Sequence, residues 1–338
     1  MCVGTISDIV PLVDENRVIT KLGLLLVAQT KNMGLRSLLM SSGYKNLDST
    51  TISFGVAPRI NACGRMGHAD EALKLFLSKD IYEVNELTKK LNDYNKMRQE
   101  KEKLIYEDAV NQIERNKLYE NCAIVVGGDN WHHGVIGIVS SKITDLYFKP
   151  SILLCYDDDL AKGSGRSIPG FDLHDALMKC QDTIEKFGGH SMAIGITIKK
   201  DNFDKFAKEL ENIAKDSKID EIIPIINVDA KINLNEVSRE TVESLKQLEP
   251  FGEGNKTPIF ALKNLKVDSI RSLSEGKHIK MTLKDGNSVV NAIGFNLGYL
   301  ADEYRIGDKI DVVGTLEINS FNGVDSLQIN LKDVMKSI

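Results

Sequence analysis

The chain has 338 residues, 42% of them hydrophobic and 27% charged, with 43 Lys and Arg against 48 Asp and Glu for a net charge of −5. This composition excludes a wholly disordered chain, and it excludes a polycation that coats nucleic acid through its overall field; a nucleic-acid partner would need a local site. No apolar run reaches the ~18 residues of a membrane span, and no basic stretch precedes an apolar one as in a signal peptide. Cys2, Cys63, Cys122, Cys155 and Cys180 are widely spaced without a CxxC pair. Four of them sit beside apolar residues and read as buried thiols of a reducing, cytoplasmic compartment.

Met1 to Leu12 reads as the end of a strand running into a loop. Asp8 at its polar end is either a cap or turn residue or a metal-ligating carboxylate at the strand's C-terminal edge. Asp14 to about Leu26 is apolar-periodic and predicts a helix. In Ile52 to Gly67, Arg59 and Arg65 stand six apart among small residues and three glycines. That pattern suits contact with an anion; the alternative is that the arginines cap helices or pair with carboxylates. The first 79 residues hold nine Lys/Arg against six Asp/Glu, a local basic excess. Ala69 to Leu77 reads as a short helix.

From His68 to Val126 there is neither Gly nor Pro. Ile81, Val84, Leu87, Leu91, Tyr94 and Met97 recur at three- and four-residue steps, predicting one helix over 80–117, about 57 Å long. Such a helix is a strut between domains or half of a coiled coil. Cys122–Val126 then predicts a strand, Val135 to Tyr147 a helix and Pro150 to Tyr156 a strand. The adjacent His132 and His133 lack the spacing of zinc ligands.

Gly163–Ser167 and Gly188–Ser191 read as two Gly-rich turns. They bracket a helix with apolar positions at Phe171, Leu173, Ala176, Leu177, Cys180 and Ile184, and a buried strand, Met192–Ile198, follows. Glycine lets backbone approach a ligand closely, turned N–H groups cradle anions, and an Arg fork matches phosphate. With a last helix over Phe203–Lys215, the order β-α-β-β-α-β-α argues a mixed sheet with helices on its faces. Beyond Asp220, strands are expected over Ile222–Ile232, Thr257–Ile270, His278–Lys284, Ser288–Phe295, Lys309–Asn319 and Ser326–Leu331. A helix interrupts at Arg239–Leu248, and Lys284–Asn287 and Phe321–Gly323 signal turns. Short strands at this density suggest a small closed barrel of the kind that binds single strands. The region is acidic, with 14 Lys/Arg against 18 Asp/Glu, and holds few aromatics. Phe251-Gly252-Glu253-Gly254-Asn255 is equally a structural loop or a contact.

Six stretches taken together resemble one family: Gly4–Leu12, Pro58–Met66, Trp131–Val139, Gly163–Ile168 with Gly170–Leu173, Phe187–His190 and Pro250–Asn255. They are similar to the RecJ-type single-stranded-DNA-specific 5′→3′ exonucleases of the DHH phosphoesterase superfamily. The resemblance implies an α/β plus β architecture: residues 1–79 as the C-terminal part of a DHH domain, 80–117 as a connector helix, 118–219 as a DHHA1 domain and 220–338 as an OB-fold barrel. It implies hydrolysis of phosphodiesters with Mn²⁺ or Mg²⁺, a role in DNA repair and recombination, and single-stranded DNA with a 5′ end as partner. A single-strand-binding protein or helicase is a further implied partner. It assigns Arg59, Arg65, Ser164, Arg166, Ser167, Gly188 and Gly189 to the substrate phosphates, His190 to the scissile phosphate and Asp8 to a metal. The family's Asp-x-Asp and Asp-His-His motifs have no counterpart in this sequence, so the chain is expected to supply the substrate-binding half. A non-catalytic single-strand-binding or scaffold protein is the alternative.

Overall fold

The computed structural model describes residues 1–44, 46–321 and 323–337. In chain order the helices and strands are α1 (Cys2–Ser7), α2 (Asp14–Val27), α3 (Met33–Ser41), α4 (Ala57–Arg65), α5 (Ala69–Leu77), α6 (Ile81–Arg115), β1 (Ile124–Gly128), α7 (His133–Tyr147), β2 (Ser151–Asp157), β3 (Leu160–Arg166), α8 (Leu173–Lys179), β4 (Ile184–His190), β5 (Ala193–Lys199), α9 (Phe203–Asp216), β6 (Ala230–Lys231), α10 (Arg239–Leu245), β7 (Phe260–Leu273), β8 (His278–Asp285), β9 (Ser288–Gly294), α11 (Leu300–Glu303), β10 (Lys309–Phe321) and β11 (Val324–Lys336). The chain divides into two units, one of residues 1–29, 45–53 and 226–338, the other of residues 30–44 and 54–225.

The second unit is built on a five-stranded sheet in the order β1-β2-β3-β5-β4, parallel between β1 and β2 and antiparallel elsewhere. One face buries Ile194, Ile196 and Ile198 of β5 with Leu173 and Leu177 of α8 and Phe206 and Leu210 of α9. On the other face α7 packs on β2 and β3. The long helix α6 is one element of 35 residues, shorter at both ends than the 80–117 expectation. Val84, Leu87 and Leu91 are buried in its first half and Ile105, Ala109 and Ile113 in its second. Between them the same stripe runs through Asn95 and Glu102, both buried, whereas Met97 and Leu104 are exposed. Tyr94 stays half-buried and stacks on His68, but the expectation that Met97 continues the apolar face is corrected: the stripe turns polar for two turns and then apolar again. The helix also lies inside this unit, with α3, α4 and α5 packed along it and α7 and β1 farther on.

The first unit holds a closed barrel, in the order β10-β11-β9-β8-β7 with β10 pairing back onto β7. Leu262, Leu265, Val267, Ile279, Met281, Leu283, Ile310 and Ile329 fill it. Ile222–Ile232 does not form the expected strand; Ala230 and Lys231 alone pair. Pro224 removes a ladder donor there, and Ile223 and Ile225 stand 75% and 81% exposed. The turn expected at Phe321–Gly323 includes Asn322, which lies outside the described residues. The N-terminal stretch is the helix α1 and not a strand, and it packs on α2.

The loop Phe251–Asn255 is structural. Its Glu253 carbonyl accepts from the Leu12 N–H at 2.6 Å, and its Phe251 carbonyl accepts from Ser49 Oγ at 2.6 Å. Asn255 donates through Nδ2 to the Leu248 and Pro250 carbonyls. A Cβ on Gly252 would lie 2.6 Å from Leu12 Cδ1, so a side chain there would have to displace the buried Leu12.

Candidate functional site

Arg65 ends α4 and Arg166 ends β3, about 100 positions apart, and both are drawn to the first half of α7. Two glycines of that helix make the room. A Cβ on Gly134 would sit 2.6 Å from the Arg65 carbonyl oxygen, and Arg65 Nη1 donates to the Gly134 carbonyl at 3.0 Å. A Cβ on Gly137, one turn on, would sit 2.9 Å from Ser164 Oγ and 3.4 Å from Arg166 Nη2. Arg166 Nη1 donates to Ser164 Oγ at 3.1 Å and to the Gly165 carbonyl at 2.8 Å. The i, i+3 spacing puts both glycines on neighbouring turns of one helix, so α7 is flanked by an arginine at each. Its N-terminus adds the partial positive charge of unpaired N–H groups.

The electrostatics agree with this convergence. Arg166 is held below the ordinary arginine value, first by burial and then by Arg65. Arg65 is lowered by burial and by Arg98, and Glu102 offsets part of this. Glu102 is the buried acid of the polar turns of α6: Arg98 Nη1 bonds it at 2.6 Å and Lys142 Nζ of α7 at 2.5 Å. Three cations thus share one carboxylate, and Arg166 adds a fourth positive charge beside Arg65. Such an excess attracts an anion, and a phosphodiester satisfies the forks of two arginines.

Strand register supplies the rest of the site. Arg166 pairs with Ala193 of β5, and Ala193 pairs with His190 of β4. Residues directly opposite in an antiparallel ladder share a face, so Arg166 and His190 face the same side about 10 Å apart, two strand spacings. Ser164, Gly195 and Gly188 form the adjoining row. His190 is exposed, and among the described residues its ring has no hydrogen-bond partner.

Several expected site residues are corrected. Gly163–Ser167 is not a turn but the strand β3. Gly163 and Gly165 leave room for Leu154, Ile196, Ile194 and Ile152 on the core face, which sends Ser164 and Arg166 to the other. Gly188, Gly189 and His190 likewise lie in β4, with the turn reduced to Ser191 and Met192. Gly189 has φ +139, and a Cβ there would lie 2.3 Å from the Ala193 carbonyl oxygen, so it serves the hairpin. Ser167 is buried and donates its hydroxyl to the Phe171 carbonyl at 2.7 Å, which leaves it nothing for a phosphate. Arg59 spends Nε on Asn92 Oδ1 at 2.6 Å, Nη2 on the Ser41 carbonyl at 3.2 Å and Nη1 on the Gly55 carbonyl. It braces α3 and α6 and does not join Arg65. Asp8 is exposed at the C-cap of α1, not at a strand edge.

His132 and His133 begin α7. His132 caps it, with Nδ1 accepting from the Gly134 N–H at 3.2 Å. The residues that sequence reasoning missed are Arg98 and Glu102, hidden in a run of charge that reads as a solvated face, Lys142, a lone cation in α7, and Gly134 and Gly137, whose role needs the tertiary contact.

A divalent pair requires several carboxylates and histidines at once. Among the described residues no group of three or more His, Cys, Asp or Glu could hold a metal ion. This donor set does not fit a two-metal centre, and no hydrolytic step is derived through one.

Known proteins resemble both units. The DHHA1 domain family matches residues 118–216, and the RecJ OB domain family matches residues 228–333. The single-stranded-DNA-specific exonuclease RecJ of Bacillus subtilis is 36% identical over 99% of this chain and 43% of its own length. The Haemophilus influenzae protein of the same name is 31% identical over 97% of this chain and 60% of its own length. The crystal structure of RecJ in complex with Mg²⁺ from Thermus thermophilus superposes with a TM-score of 0.86 at 30% identity, covering 100% of this chain and 52% of that one. A crystal structure of exonuclease RecJ bound to manganese gives a TM-score of 0.58 at 32% identity over 65% of this chain and 56% of that one. The chain spans about half the length of the curated relatives it matches.

Proposed function

The chain belongs to the RecJ family, and on that premise we propose that it holds the 5′ end of a DNA single strand for metal-dependent 5′→3′ exonucleolytic degradation in repair and recombination. The observation that carries this reading is the convergence of Arg65, Ser164 and Arg166 on α7 with His190 in the same sheet row as Arg166. The arginines bind the terminal and neighbouring phosphates through charge-assisted hydrogen bonds. His190, exposed and uncommitted, contacts the scissile phosphate as hydrogen-bond donor. The Mn²⁺ or Mg²⁺ of the reaction is held by residues outside the donor set described above. The work is done in the cytoplasm, where five unpaired cysteines stay reduced. A single-strand-binding protein or helicase would deliver the strand.

The test is anisotropy of a 5′-phosphorylated oligodeoxythymidylate titrated with the full chain at several salt concentrations. Binding should weaken linearly in log salt, and Arg166→Ala should weaken it at least tenfold. Binding unchanged by Arg166→Ala would overturn the reading.

A second reading, a strand-binding protein that does not cut, is favoured by the absence of a metal-binding cluster among the described residues. Incubation of the chain with labelled oligonucleotide and Mn²⁺ separates the two. Shortening of the 5′ end excludes the non-cutting reading; oligonucleotide that stays bound and intact even when the metal-holding portion of a RecJ relative is supplied in trans supports it.

A further inference from the structure

Beyond the two rows already described, the uncovered face of β4 and β5 carries a third. Lys162 of β3 pairs with Thr197, and Thr197 pairs with Lys186. The rows Arg166–Ala193–His190, Ser164–Gly195–Gly188 and Lys162–Thr197–Lys186 therefore stand side by side, ~6.7 Å apart along the strands. No Asp or Glu occupies any of their nine positions, in a chain whose net charge is −5. Lys162 is neutralised by Asp157 at 2.8 Å, whereas Lys186 is exposed and has no ion-pair partner among the described residues. Helix α7 covers β2 and β3, and α8 and α9 cover the opposite face, so this part of the sheet is open.

The middle row has no structural reason to be bare. A Cβ built on Gly195 or Gly188 meets no atom within 4 Å, and neither residue has a positive φ. Glycine weakens a strand interior, so a β-branched residue at Gly195 would suit the fold better. What glycine provides here is clearance above the sheet, between a cation row at one end and Lys186 at the other.

We propose that this face is the bed of an extended single-stranded polynucleotide, with Gly195 setting the clearance for its sugar–phosphate backbone and Lys186 holding the second phosphate beyond the one held by Arg166 and His190. The inference rests on the reading of Arg166 as a phosphate ligand and extends it along the strand. A strand lying along β5 meets the rows in turn, at intervals that match an extended backbone.

The experiment compares Gly195→Val, Lys186→Ala and Arg166→Ala in the full chain, using a 5′-phosphorylated oligodeoxythymidylate and circular dichroism melts. Gly195→Val should keep the melting temperature and weaken binding at least tenfold. Lys186→Ala should make the slope of log affinity against log salt shallower by about 0.7, the loss of one phosphate contact on a single strand. If Arg166→Ala weakens binding while Gly195→Val binds as the parent does, or Lys186→Ala keeps the parent slope, the proposed bed is wrong and the arginine site stands. If Arg166→Ala has no effect, the arginine site itself falls. Should Gly195→Val fail to fold, the salt slope of Lys186→Ala decides.

Discussion

Neighbouring glycines in this chain have unlike jobs, and only coordinates separate them. Gly188 and Gly189 are adjacent in β4, yet a Cβ on the first meets open space and a Cβ on the second would collide with the Ala193 carbonyl oxygen at 2.3 Å. With φ at +139, Gly189 also sits where side chains are strained. Gly189→Ala should therefore cost about 2 kcal/mol or more, whereas Gly188→Ala should be neutral or stabilising by about 0.5 kcal/mol. Thermal melts of the two variants check this, and equal destabilisation would contradict the geometry. The pair also shows what can be read from sequence at this scale. Arg, Ser and His among glycines mark a candidate ligand-facing stretch, because few other uses need those types together. Their conformation is not legible in the same way, because glycine signals a turn as strongly as it permits a strand whose neighbours' side chains need its space. Arg59 and Arg65 look alike in sequence; they separate because six positions along a helix turn them about 120° apart, one toward Gly55 and Asn92 and the other toward α7.

At the scale of elements, α7 and α6 carry the site's dependence on conditions. His132 caps α7 by accepting from the Gly134 N–H, which requires an unprotonated Nδ1. Burial, then Lys101 and His133, lower its pKa from 6.5. A folded-state pKa below the unfolded one means that the unfolded chain takes up the proton first. The stabilisation is complete above about pH 6.5 and is lost as pH falls through the lower folded value. Stability should therefore decline as pH falls below about 6.5, and His132→Asn, which caps without titrating, should flatten that part of the profile. Denaturant melts across the range would show it; an unchanged profile would remove His132 as the cause. On α6, Glu102 bonds both Arg98 and Lys142 within the buried stripe. Glu102→Ala leaves Arg98 without its acid in a buried setting, an expected cost of about 3 kcal/mol, whereas the exposed pair Lys96–Glu100 should contribute less than about 0.5 kcal/mol. The existence and length of α6 were legible, since 35 residues without Gly or Pro leave little else. Its polar middle was not, because Asn95, Arg98 and Glu102 lie on the apolar phase of the helix and only the facing Arg65 and Lys142 explain them.

For the whole molecule, sequence order is a poor guide to which segments stabilise each other. The barrel was legible from its alternating strands, but the attachment of residues 1–29 to the barrel's unit was not, because it depends on single bonds between distant positions. Leu12, 2% exposed, binds the Glu253 carbonyl and packs where Gly252 lacks a side chain. Arg17 Nη2 adds a bond to the Leu248 carbonyl at 2.7 Å. These contacts close a loop of about 240 residues, whose entropic cost grows only with the logarithm of length, so a few local bonds suffice to hold it. Gly252→Val would force Leu12 out and expose it. The expected result is a lower melting temperature for the barrel unit, with faster amide exchange in α1 and α2 than in the parent, and no change in the salt slope of oligonucleotide binding by the arginine site. Hydrogen exchange read peptide by peptide distinguishes this from general destabilisation: protection lost equally in β3–β5 would mean that the clasp is not a local device.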